Sequence, residues 1–123
     1  MSIRGHVGRF AFVPHELDGA NITQDSARVA VSESASPVYI RVAMEMPGLQ
    51  QWMVRHTKGV AVRGINLGDL KRLPIPCPPL VEQQEFSAAV TLADEQRSAA
   101  LGQLNLLDEV FSSIQYRAFS GQL

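Results

Sequence analysis

The sequence predicts an α+β protein: a small mixed domain over residues 1–79, followed by one long helix over residues 80–123. Three observations carry this. Two short alternating segments near the start read as strands, and capped helical segments occupy the middle of the chain. From Phe86 onward, apolar residues recur in steps of four and three without a break.

Arg9–Val13 alternates and stops at Pro14, and Ala27–Ser32 sets Val29 and Val31 on one face, so both are expected as strands. Asp18-Gly19 between them is a turn pair. Two short strands make no stable sheet alone, so the domain is expected to begin partway through its fold or to be completed by another chain. Ser36-Pro37 should cap and open a helix through Tyr39, Ile40, Ala43 and Met44. Pro47-Gly48 should break it, with a second short helix over Leu49–His56. Thr57–Gly64 is a glycine-bounded loop, and Asn66-Leu-Gly-Asp69 resembles a capping box that starts one helical turn. The proline-rich run Leu73–Pro79 can only be extended.

The helix predicted from residue 80 to about 119 opens after Pro78-Pro79, with Glu82 and Glu85 near the positive end of its dipole. Gly102 costs only about 1 kcal/mol relative to alanine, too little to end it. Gly121 stands where a left-handed residue would close the helix. Its seam is Phe86, Val90, Ala93, Arg97, Ala100, Leu104, Leu107, Phe111, Ile114 and Ala118, apolar except at Arg97. A stripe this long on so small a protein needs a partner helix. In an antiparallel pair of identical helices, mid-seam Arg97 is expected near its own copy, where a polar residue can fix register; alternatively its stem packs and its charge escapes to water.

Composition excludes more than it assigns. No apolar run is long enough to span a membrane, and the N-terminus lacks a signal-peptide pattern. The single Cys77 fits a reducing compartment and reads as a small packing residue. His6, His15 and His56 lack metal-pair spacing, and no dinucleotide, P-loop or nucleophile-elbow motif occurs. Asp94-Glu95 and Asp108-Glu109 read as a solvated helix face. Nothing argues for catalysis or a cofactor. The net charge of −1 hides an asymmetry: residues 1–79 hold nine Lys/Arg against six Asp/Glu, and residues 80–123 hold two against six. Arg55, Lys58, Arg63, Lys71 and Arg72 cluster with Asp69 as the sole acid, a profile that suits a polyanion but is also common on solvated surfaces.

Ile65-Asn-Leu-Gly-Asp-Leu-Lys-Arg-Leu-Pro-Ile-Pro-Cys-Pro-Pro-Leu-Val-Glu-Gln83, leading into a long heptad helix that ends Ala118-Phe-Ser-Gly-Gln-Leu123, resembles the specificity subunit of type I restriction-modification systems. More loosely, Arg4–Pro14 and Gly19–Thr23 resemble the middle of a target recognition domain. The resemblance implies a non-catalytic, cytoplasmic subunit that reads double-stranded DNA. Its long helix would pair antiparallel with another and dock methyltransferase and restriction subunits, which bring their own S-adenosylmethionine and ATP. Family members carry two recognition domains and two helices. One helix and about half a recognition domain therefore imply a truncated or half-subunit that forms a homodimer. The DNA-reading candidates are Arg4, Arg9, Lys58, Arg63 and Asn66: the arginines and lysine for phosphates, Arg63 also for a guanine edge, and Asn66 for adenine. Against these stand plainer roles: Asn66 as a helix cap, Arg9 as a solvent-facing strand residue, Trp52 as core, and Gly5, Gly8 and Gly59 as backbone turns. The competing function is a coiled-coil dimerisation or adaptor protein without DNA affinity.

Overall fold

A computed structural model describes residues 1–60 and 62–122. Its order is a 3₁₀ turn at His15–Leu17, then α1 (Pro37–Glu45), α2 (Pro47–Arg55), α3 (Leu67–Leu70) and α4 (Leu80–Phe119). The chain divides into two compact units, Met1–Ser87 and Ala88–Leu123, so the first two turns of α4 belong to the first unit.

The protein is mostly helical. Its β structure among the described residues is three isolated antiparallel bridges, Ser2 with Ser26, Arg4 with Gly64, and Lys58 with Gly64. Neither Arg9–Val13 nor Ala27–Ser32 forms a strand. Alternation supplies a face, but a ladder also needs a neighbour along its length, and here the pairing reaches just the first residue of each segment: Ser2 N–H donates to Arg9 O and Ala27 N–H to Met1 O. Phe12, Val13 and Val29 consequently stay exposed. Only Phe10 and Ala27 from these segments reach the core, beside Ile3, Met53 and Ile65.

The helices follow their local signals. The Ser36 side chain accepts from the Tyr39 N–H, and Pro37 occupies the first turn of α1. Ile40, Ala43 and Met44 are the residues α1 buries. Glu45 ends it, and α2 begins at Pro47, two residues before the expected start, because proline fits a first helical turn as readily as it ends a preceding helix. Gln50 secures the junction by donating from Nε2 to the carbonyls of Gly8 (3.0 Å) and Met44 (2.9 Å). Gly8, at φ +87°, leaves space for that amide; a Cβ would stand 2.6 Å from Gln50 Oε1. Trp52 packs against the core and stacks on His56 with ring centroids 3.6 Å apart, as a core residue does.

Continuous from Leu80 to Phe119, α4 tolerates Gly102 in its interior. Its end is a Schellman arrangement: Gly121 takes φ +73° and the Gln122 N–H donates to the Arg117 carbonyl at 2.9 Å. Cys77 is exposed, not packed as the sequence suggested: of the extended proline-rich run, Leu73, Ile75 and Pro78 are half-buried and Cys77 is not. Among the described residues no helix is long and apolar enough to cross a membrane, and no cluster of His, Cys, Asp and Glu could hold a metal ion.

Candidate nucleic-acid interface

The basic candidates are assembled by backbone pairing around the 58–64 loop. Lys58 N–H donates to Gly64 O (2.8 Å) and Gly64 N–H returns to Lys58 O (2.9 Å), closing the loop at its base. The N-terminal segment lies alongside: Gly5 N–H donates to Arg63 O (2.9 Å) and Ile65 N–H to Ile3 O (3.0 Å). Arg4, Lys58 and Arg63, up to 59 positions apart in sequence, are thereby neighbours along adjacent backbones. Arg9 joins from the other end of the same segment, where Ser2 N–H donates to Arg9 O at 2.9 Å. All four basic residues are exposed.

Glycine is required in this loop. Gly59 holds φ +112°, a conformation strained for any L side chain, and a Cβ there would collide with the Val62 carbonyl. Val60 is fully exposed beyond it.

Two carboxylates already hold two of the cations. Arg4 Nη1 lies 3.8 Å from Asp25 Oδ1, with both side chains about half exposed, and Lys58 Nζ lies 3.5 Å from Asp69 Oδ2. Asn66 is committed to capping: its Oδ1 accepts from the Asp69 N–H at 2.7 Å and its amide donates to the Asp69 carboxylate. Each end of that amide is thus used once, in the capping role that the sequence offered for Asn66. Burial pushes the Asp69 carboxyl upward, but Lys58, the Asn66 amide and His56 together outweigh it and hold the group below the usual aspartate value.

The foot of α4 carries a polar clasp within the first unit. Gln83 is buried; its Oε1 accepts from Ser36 N–H at 3.0 Å and its Nε2 donates to Pro78 O at 2.8 Å. Ser87 donates to Gln83 O at 2.6 Å, which leaves Ser36 Oγ, 2.7 Å away, to donate to Ser87. The sequence reading held Gln83 merely as the end of the Leu-Val-Glu-Gln83 motif and missed Ser87, because pattern reading weights apolar positions; the further signal was their four-residue spacing on the opening turns. Phe86, first of the seam, meets Tyr39 edge-on at 5.7 Å, and the Tyr39 hydroxyl donates to Pro76 O at 3.0 Å.

The rest of the seam is uncovered. From Ala88 to Gln122 every residue except half-buried Val90 is exposed. Leu104, Leu107, Phe111 and Ile114 each show between 52% and 65% of their surface, although they line one stripe of a helix. Arg97 Nη2 lies 3.5 Å from Asp94 Oδ1.

The chain is similar along its whole length to the type I restriction enzyme EcoBI specificity subunit of Escherichia coli, at 29% identity over 128 residues. It spans 27% of the length of that protein. No protein-family profile matches the chain. No solved structure matches it.

Proposed function

We propose that this chain is a non-catalytic DNA-specificity component of a cytoplasmic type I restriction-modification complex. The observation that carries the reading is the whole-length similarity to a specificity subunit, which runs through both the basic loop and the long helix. In this reading the face built by Arg4, Arg9, Lys58 and Arg63 meets double-stranded DNA, while Asn66 and Asp69 hold the loop's far end in place. Phosphates displace the carboxylates from Arg4 and Lys58, an exchange of one anion for another at an exposed site. The isolated bridges at Ser2, Arg4, Ser26, Lys58 and Gly64 become part of a sheet when the rest of a recognition domain is present, giving the expected α+β class.

The long helix has a separate task. Its exposed seam closes against a second helix, in the simplest case that of another copy, and the assembled helices dock methyltransferase and restriction subunits. Methyl transfer and cleavage, with S-adenosylmethionine and ATP, belong to those subunits.

Binding of a fluorescent random-sequence duplex, titrated with salt, tests the DNA reading. Affinity should fall steeply with salt, and the Lys58→Ala/Arg63→Ala variant should flatten the log–log slope by about 2. A folded chain with no affinity at low salt would leave the second reading, a coiled-coil adaptor without DNA affinity. That alternative is favoured by the carboxylates already seated on Arg4 and Lys58.

A further inference from the structure

The 58–64 loop carries a feature that its charges do not explain. Val60 is, at 105%, the most exposed large apolar residue among the described residues, and Val62 shows 63% of its surface. Turns that face water are dominated by Gly, Pro, Asn, Asp and Ser. Two β-branched apolar residues in this loop forgo burial without serving the turn.

The roots of the loop are fixed. Thr57 Oγ1 donates to Met53 O of α2 at 2.8 Å, Lys58 and Gly64 exchange two backbone bonds, and Ile65 beyond them is buried. Gly64 also lets the Arg4 stem cross the base: a Cβ there would stand 3.0 Å from Arg4 Cγ and 3.1 Å from Ile3 O. Gly59, at φ +112°, brings its backbone against the Val62 carbonyl and sets the direction in which the chain leaves Lys58. Val60 therefore stands clear of the core before any partner arrives, which lowers the ordering cost of binding.

Charge and shape name the partner. Arg4, Lys58 and Arg63 are exposed around the base, with Asp25 and Asp69 lying against the first two. A surface that receives this loop must offer anions at its rim and an apolar group between them. Closed by the Lys58–Gly64 bridge, the loop is a short two-stranded projection. Such a projection fits the major groove of B-DNA, about 12 Å wide, and is too broad for the minor groove at about 6 Å. Phosphates line both rims of the major groove, and the apolar group on its floor is the thymine C5 methyl. The wedges that unstack minor-groove steps are mostly longer side chains than valine.

We propose that Val60 enters the major groove of double-stranded DNA and packs against thymine C5 methyl groups, as a base-reading residue, while Arg4, Lys58 and Arg63 hold the phosphates around it. The proposal rests on the DNA reading proposed above and adds a contact that recognises a base rather than the backbone.

Two fluorescent duplexes of one alternating adenine–thymine sequence, the second with uracil at every thymine position, differ only in that methyl. At low salt the full chain should bind the thymine duplex about fourfold more tightly, the equivalent of one buried methyl-sized group. Val60→Ser should abolish the preference by weakening the thymine duplex alone, with salt slope and melting temperature unchanged. Lys58→Ala, in contrast, should weaken both duplexes equally. Equal affinity of the parent chain for the two duplexes, or a preference that survives Val60→Ser, would overturn the proposal and leave the DNA reading standing. A lower melting temperature or a changed sedimentation mass for Val60→Ser would also overturn it, by making the tip a packing or protein-binding surface. Absence of binding to either duplex would overturn the DNA reading itself, and this proposal with it.

Discussion

The Ser36 hydroxyl lies 2.7 Å from the Ser87 hydroxyl, a contact across 51 residues that joins the N-cap of α1 to the second turn of α4. Around it Gln83 satisfies the Ser36 N–H and the Pro78 carbonyl at once. The opening of the long helix is therefore fixed to the first unit by hydrogen bonds as well as by the Tyr39–Phe86 ring contact.

Gln83→Leu keeps the bulk and removes both bonds. A buried polar group left unpaired costs about 1–3 kcal/mol, so the variant should lose about 2–4 kcal/mol of stability in urea unfolding with its m-value unchanged. A loss below about 0.5 kcal/mol would mean that water replaces the amide freely.

Asp69 gives a pH signature. Its folded-state value lies below the ordinary one, so its contribution is complete above the unfolded value of about 3.9 and disappears as pH falls through the lower folded value. The melting temperature of the parent chain should exceed that of Asp69→Asn near neutrality, with the gap closing only below about pH 4. A gap that persists unchanged in acid would contradict the ion pair and cap as its source.

These two clusters show unequally what a sequence can disclose. The Asn66–Asp69 cap was legible because capping is a local rule: side chain and backbone partner lie three residues apart. The same locality made Ser36-Pro37 and the limits of α4 readable, whereas Pro47, expected only to break a helix, in fact opens α2. The two strands failed for the opposite reason, since a ladder depends on what lies beside it, and the backbone pairing falls instead at Ser2, Arg4, Lys58 and Gly64. Arg4, Lys58 and Arg63 were picked out by charge and by their places at the front of the chain and around the glycine-bounded loop; that they become neighbours is a tertiary fact with no local signal.

Arg97→Leu should tighten association, because a polar residue at an a position lowers coiled-coil stability. The measurable result is a lower dissociation constant by sedimentation for Arg97→Leu than for the parent chain. Unchanged association would remove Arg97 from the account.

Charge removal should separate the two tasks of the chain. Lys58→Ala/Arg63→Ala should weaken duplex binding at low salt while leaving the association state untouched, as assayed by anisotropy and sizing on the same samples. Loss of both together would place the loop in the helix interface.

The sharpest test of the central claim is the mass of the purified chain by sedimentation at tens of micromolar. The exposed seam from Ala93 to Ile114 predicts a dimer, twice the 13.5 kDa of one chain, that dissociates on dilution and is broken by Leu104→Asp/Leu107→Asp. A stable 13.5 kDa monomer at that concentration, with α4 intact by circular dichroism, would contradict it.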